Sequence, residues 1–175
     1  MSGVEIETLS ASPDTSEALS AMMSEVVADN GSASYMHPLE PERARAFWNG
    51  ALAAADRGER IILGAFDEGA LVGTVTLLLD CPPNQPHRAE IAKMMTRPSH
   101  RNRGIASALL REAERLAKQH RRTLLVLDTA TIDGASRLYE RHGFTFAGEI
   151  PDYAFTPFGE LTGTRLYWKR IGGRA

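Results

Sequence analysis

Cysteine is almost absent from this sequence: Cys81 is the single one in 175 residues. One cysteine excludes an intramolecular disulfide framework and a zinc site built from several thiolates. The spacing of His87 and His100 does not match a pair of metal ligands. We therefore predict no metal.

Long hydrophobic runs are also missing. No apolar stretch approaches the roughly 20 residues that a membrane-spanning helix needs. The N-terminus lacks the pattern of a signal peptide. We therefore expect no membrane partner and a cytoplasmic location.

The sequence has little net charge, with a formal value of −2 at pH 7. General nucleic-acid binding would require a basic surface, so we expect no nucleic-acid partner. Apolar residues make up 43% of the chain and charged residues 24%, as in globular proteins. The length fits one fold unit, so residues 1–175 are expected to form a single domain.

A strand, a basic turn and a helix follow one another from residue 89 to about residue 120. Such a helix starts with backbone N–H groups that have no acceptor, and its dipole favours a bound anion there. Arg101, Arg103 and the missing side chain of Gly104 suit a pyrophosphate that approaches the main chain. The alternative is an ordinary connection with solvated arginines.

Two motifs make the phosphate interpretation more specific. Arg101-x-x-Gly104-x-Ala106, after a strand, resembles the acetyl-CoA signature of the GNAT N-acetyltransferase superfamily. Residues 138–144, LYERHGF, resemble the Leu-Tyr-x-x-x-Gly-Phe segment of the same family. The resemblance implies acetyl-CoA as cosubstrate and Tyr139 as the general acid that protonates the departing thiolate. The alternative for Tyr139 is a half-buried helix tyrosine that packs on Leu138 and Phe144.

The resemblance also implies the other residues of an acetyl-CoA site. Main-chain groups at a bulge in the central strand would stabilise the carbonyl oxygen; they map to Met94, Met95 and Thr96. The residues expected to bind the pyrophosphate, mostly through main-chain groups, are Arg101, Asn102, Arg103, Gly104, Ile105, Ala106 and Ser107.

Glu90 and Asp128 are the candidates for the base that takes a proton from the acceptor amine. Both interrupt otherwise apolar strands, where burial or mutual proximity can raise the pKa of a carboxyl group. Three alternatives remain open. Asp128 can cap a turn while Glu90 pairs with Arg88 or Lys93, water can relay the proton, or both carboxylates can attract a cationic acceptor.

Hydrophobic periodicity predicts an α/β fold around one mixed sheet of about seven strands. The predicted helices are residues 16–28, 41–55, 103–120 and 133–141, and the predicted strands are residues 4–9, 60–66, 71–79, 89–96, 123–129, 144–149 and 162–169. Residues 10–15 are expected to form a turn and residues 151–163 a loop. The aliphatic run 123–129 is typical of a strand covered on both faces. The GNAT resemblance implies the same order, with helices on both faces and a splayed sheet.

A narrower resemblance covers about half of the chain. Residues 87–95, 127–129 and 148–157 together resemble the tabtoxin-resistance acetyltransferases. This subgroup implies an amine on a small β-lactam-type toxin as the acceptor. We predict acetyl transfer to a primary amine of a small molecule, such as a toxin or antibiotic, by direct attack in a ternary complex. The alternatives are acetylation of a protein or peptide and a non-enzymatic module that senses acyl-CoA.

The walls of the acceptor pocket and the oligomeric state are less defined by the sequence. Aromatic residues Tyr153, Phe155 and Phe158 are candidates for one wall, or for a contact within a dimer. The segment around Ser34 and Tyr35 is a candidate for another wall. We expect a monomer or a homodimer.

Overall fold

The computed structural model describes residues 3–132 and 134–172. The strands are β1 (Glu5–Thr8), β2 (Arg60–Asp67), β3 (Ala70–Leu78), β4 (Arg88–Thr96), β5 (Leu124–Ala130), β6 (Thr145–Phe155) and β7 (Leu161–Arg170). The α-helices are α1 (Pro13–Ala28), α2 (Pro41–Asp56), α3 (Ile105–Gln119) and α4 (Ser136–Arg141), and Pro98–His100 forms a short 3-10 turn.

The seven strands form one open sheet in the order β1-β2-β3-β4-β5-β7-β6. Only the pair β4 and β5 is parallel among the described strands, and every other neighbouring pair is antiparallel. The connection from β4 to β5 contains α3, as a parallel crossover requires. The predicted mixed α/β fold is therefore confirmed.

Helices cover both faces of the sheet. Trp48 of α2 packs with Ile62 in one apolar cluster, which also contains α1. Leu63, the next residue of β2, belongs to a second cluster with Leu109 of α3. Successive side chains of a strand point to opposite faces, so these two clusters lie on opposite sides of the sheet.

The sheet opens between β4 and β5. Their register covers only Arg88–Glu90 of β4 against residues 124–126 of β5. Beyond Glu90, β4 continues through Thr96 beside β3, and β5 continues to Ala130 beside β7. The two halves of the sheet therefore diverge, which creates a cleft in the middle of the fold.

Two predicted boundaries are wrong. Residues 13–15 are helical rather than a turn, because Pro13 starts α1 and Ser12 caps it, accepting a hydrogen bond from Thr15 N at 3.0 Å. Proline suits the first helical turn, where no N–H acceptor is available. At the other end, β6 continues through Phe155 where a loop was expected. The edge position and the register irregularity between Ile150 and Ala154 accommodate Pro151.

Two further expectations need correction. β5 is not covered on both faces: Leu125, Leu127 and Thr129 are buried, whereas Asp128 is exposed. The last helix begins at Ser136, and the predicted start at Asp133 lies outside the described residues.

Within the described ranges, no helix has the length and apolar character needed to cross a bilayer.

Candidate active site in the cleft between β4 and β5

The cleft holds a cavity of about 1130 Å³. Its walls come from the diverging ends of β4 and β5, the start of α3, helix α4 and the segment that connects α1 to α2. The cavity therefore joins segments that are distant in sequence, and both motifs identified from the sequence contribute to it.

The start of α3 opens into this cavity. Gly104 precedes the helix with φ 80° and ψ 4°, a left-handed conformation that suits glycine. Among the described residues, no side chain caps α3. The amides of Ile105, Ala106 and Ser107 lack an intrahelical acceptor because of their position in the first turn. These three residues line the cavity together with Gly104, so the helix presents N–H donors to it.

The two arginines of the basic turn before α3, Arg101 and Arg103, have different surroundings. Arg101 lines the cavity and pairs with Asp29 at the end of α1. Arg103 lies outside the described lining, and its guanidinium pairs with Asp67 at 2.8 Å. Asn102, between them, has φ 61° and lines the cavity. Of these two arginines, Arg101 is therefore the one that can add positive charge to the cavity wall.

The central strand β4 carries a bulge. Thr76 is opposite Ala92 and Thr74 is opposite Met95, so β4 has one extra residue in this interval. The bulge lies at Lys93 and Met94, which is earlier than the expected position, because Met95 and Thr96 pair with β3 again. Lys93 has φ 50° there. A bulge turns backbone polar groups away from the regular ladder, here beside the open cleft.

Both candidate carboxylates line the cavity, and both have partners. Asp128 is exposed and accepts a hydrogen bond from Thr164 Oγ1 at 2.9 Å. Glu90 is partly exposed and pairs with Arg88 at 3.4 Å. The arginine pairing considered for Glu90 from the sequence is therefore present, and burial, one of the possibilities considered for these carboxylates, does not apply to Asp128.

Tyr139 lies on α4 and is only 4% exposed. Its ring packs against Phe144 and Tyr167, with centroid distances of 5.9 and 6.1 Å, and the residue also lines the cavity. This packing fixes the position of the Tyr139 ring in the cavity wall.

Lys93 also lines the cavity, although neither sequence motif indicates it as a site residue. Its ammonium lies in the cavity, donates to Ser34 Oγ at 2.8 Å and sits 5.4 Å from the ring centre of Phe47. Burial lowers the pKa of Lys93, and the nearby Asp128 carboxylate partly opposes that effect. A lysine within the mostly apolar central strand was the available signal.

Comparison with known proteins decides the family. The sequence model of the acetyltransferase (GNAT) family matches residues 21–144, which is more than half of the chain. The chain belongs to this family. As a GNAT protein, it is an acyltransferase.

Solved structures share the fold at low sequence identity. The ribosomal-protein-alanine N-acetyltransferase of Brucella melitensis superposes with a TM-score of 0.78 at 23% identity, covering 95% of this chain and 99% of its own. The candidate acetyltransferase yncA of Salmonella typhimurium was solved with its cofactor acetyl-CoA. It has a TM-score of 0.81 at 17% identity, and the match covers 99% of this chain and 97% of its own. A candidate phosphinothricin N-acetyltransferase has a TM-score of 0.77 at 21% identity, and the match covers 97% of this chain and 100% of its own.

The GNAT fold brings nearly all predicted site residues to one cavity. The lining contains Glu90, Met94, Met95, Thr96, Arg101, Asn102, Gly104, Ile105, Ala106, Ser107, Asp128 and Tyr139, without Arg103. Ser34 lines it as well, as expected for a wall. Tyr153, Phe155 and Phe158 do not belong to the lining found among the described residues; they are 58 to 59% exposed.

Proposed function

We propose that this protein transfers the acetyl group of acetyl-CoA to a primary amine of a small molecule, by direct attack in a ternary complex. The observation that carries the proposal is the cleft between β4 and β5, which leads to the uncapped start of α3. Its lining includes N–H donors for phosphate at the start of α3 and the carboxylates of Glu90 and Asp128 for an amine. We call the part of the cavity beside these carboxylates the acceptor end.

The residues around α3 fit the nucleotide end of acetyl-CoA. A phosphate gains from the first-turn amides of a helix and from the positive end of its dipole. Arg101 adds a charge on the same side of the cavity. The Cβ of any side chain at Gly104 would meet no described atom within 4 Å, so the space above this glycine is open. When bound, acetyl-CoA supplies the thioester whose acyl group is transferred.

The chain's own residues supply the remaining chemistry. Backbone N–H groups near the β4 bulge stabilise negative charge on the acyl oxygen. Asp128 and Glu90 attract the acceptor ammonium and take its proton directly or through water, because only the neutral amine attacks a carbonyl carbon. Tyr139 donates a proton to the departing sulfur.

A thiol-release assay with acetyl-CoA and a panel of amines tests the proposal. The panel contains alkylamines, polyamines, amino acids, aminoglycosides and short peptides with free N-termini. Turnover confined to small amines would support the proposal, and mass spectrometry should find one added acetyl group on nitrogen. Tight CoA binding without turnover of any amine or peptide would favour an acyl-CoA-sensing module instead.

A protein N-terminus is the second candidate acceptor. The similarity to the ribosomal-protein-alanine N-acetyltransferase favours it. Faster turnover of peptides than of every small amine in the same assay would establish this alternative.

For the biological role, we propose resistance to a toxin or antibiotic that carries an amine. The similarity to the candidate phosphinothricin N-acetyltransferase supports a small molecule of this kind. Expression in a sensitive bacterial host should raise the tolerated dose of such a compound, and the Tyr139→Phe variant should not. Equal tolerance with both proteins would contradict this role.

A further inference from the structure

Two strained residues meet across the acceptor end of the cavity. Lys93 has φ 50° and Ser34 has φ 71°, and neither residue is glycine. For a residue other than glycine, a left-handed backbone conformation raises the conformational free energy by about 1 kcal/mol or more. Residues in this conformation are concentrated at ligand sites. Lys93 Nζ donates to Ser34 Oγ at 2.8 Å although 59 residues separate them. The fold therefore holds an ammonium and a hydroxyl side by side at this position.

Lys93 differs from the other cations that line the cavity. Arg60 and Arg101 each pair with a carboxylate, and Arg137 and Arg141 are exposed to solvent. Lys93 has no carboxylate within 4.0 Å among the described residues, although its ammonium is partly buried against Phe47. A partly desolvated cation without a contacting anion gains most from a ligand that brings one.

Opposite charge is available in the same cavity. Asp128 is exposed into it, with one carboxylate oxygen held by Thr164 Oγ1. The acceptor end therefore presents a carboxylate for an ammonium group and an ammonium with a hydroxyl for an anionic group. A ligand that carries both charges would satisfy both sides at once.

We propose that Lys93 and Ser34 bind a carboxylate of the acceptor, so that the substrate class is an amino acid or a related zwitterion. This inference rests on the proposed function, because it names the acceptor of the same site. The Lys93 ammonium and the Ser34 hydroxyl donate to the carboxylate, while Asp128 faces the amine that is acetylated.

The test compares acids with their neutral amides. Each common L-amino acid and its carboxamide are assayed by thiol release, since the pair differs in one negative charge. The wild-type protein should prefer the acids by at least about tenfold in kcat/KM, mainly through a lower KM. In Lys93→Met, the kcat/KM for each acid divided by the kcat/KM for its amide should fall to about one. Lys93→Arg should retain part of the preference, and Ser34→Ala should lower it less than Lys93→Met.

Lys118→Met is the matched control, because it also removes one lysine. Lys118 lies on α3 outside the described cavity lining, with its side chain 51% exposed. Its acid-to-amide ratio should equal that of the wild type. An unchanged ratio in Lys93→Met would overturn the inference. A loss of kcat that is equal for acids and amides would also overturn it, because Lys93 would then act on the chemistry and not on the acceptor's charge.

Calorimetric titration separates this inference from the proposed function. The same amino acids are titrated into the protein in the presence of CoA. Absence of turnover on every amine would contradict the proposed function alone. Binding of the acids that is lost in Lys93→Met and kept in Lys118→Met would still support the carboxylate site. Equal binding by both variants, or no binding to the wild type, would refute it.

Discussion

Gly104 offers the sharpest test of the phosphate site, through the pair Gly104→Asp and Gly104→Asn. Both substitutions place a side chain of similar shape at the start of α3, where the new Cβ would meet no described atom within 4 Å. Asp and Asn tolerate a left-handed backbone better than other residues, and both are favourable helix caps. The two variants should therefore fold alike and differ by one negative charge.

The magnitude follows from Coulomb's law. Two like unit charges about 4 Å apart repel by about 1 kcal/mol in water and by about 4 kcal/mol at an effective dielectric constant of about 20. Since about 1.4 kcal/mol corresponds to tenfold in Kd, the Asp variant should bind CoA roughly 5- to 700-fold more weakly than the Asn variant. Higher salt should reduce this difference, because mobile ions screen exposed charges.

Isothermal titration calorimetry with CoA measures both affinities. Gly58→Asp is the control, because Gly58 also has a left-handed backbone, with φ 76°, and open space for a Cβ, but lies outside the described cavity lining. The control should bind CoA like the wild type. Equal CoA affinity for the wild type, Gly104→Asn and Gly104→Asp would refute a phosphate at the start of α3.

Three further predictions concern catalysis and pH. Tyr139→Phe should lower kcat by roughly 10²-fold or more while changing the Kd of CoA less, because it removes only the proton donor; full activity would exclude the acid role. Asp128→Asn should lower turnover at neutral pH, and an undiminished rate would rule out Asp128 as an essential base. Burial, with the positive Arg111 and Lys169 nearby, lowers the pKa of His142 below its ordinary 6.5. The folded protein therefore favours the neutral ring, so the free energy of unfolding decreases as the pH falls below about 6.5. Between pH 7.5 and 5, the melting temperature of His142→Gln should decrease less than that of the wild type. An equal decrease in both proteins would contradict this prediction.

Much of the fold could be predicted because local pattern and packing agree. In α3, apolar residues such as Leu109 and Ala113 repeat at helical spacing, and the helix packs that stripe against the sheet. The boundaries that were wrong depend on context. Pro13 starts a helix because Ser12 caps it, and Pro151 remains within β6 because an edge strand tolerates a missing N–H donor.

The sequence by itself determined the family, the order of most elements and the two motifs, because these depend on residues that are close together in the chain. Only the tertiary structure decided how far β4 and β5 pair, that Arg103 turns to Asp67, and that Lys93 reaches Ser34. Each of these features is a contact between distant segments. Such contacts depend on where the strands diverge and on which charged or polar groups come close together in the folded chain. The local periodicity of the sequence contains no information about either.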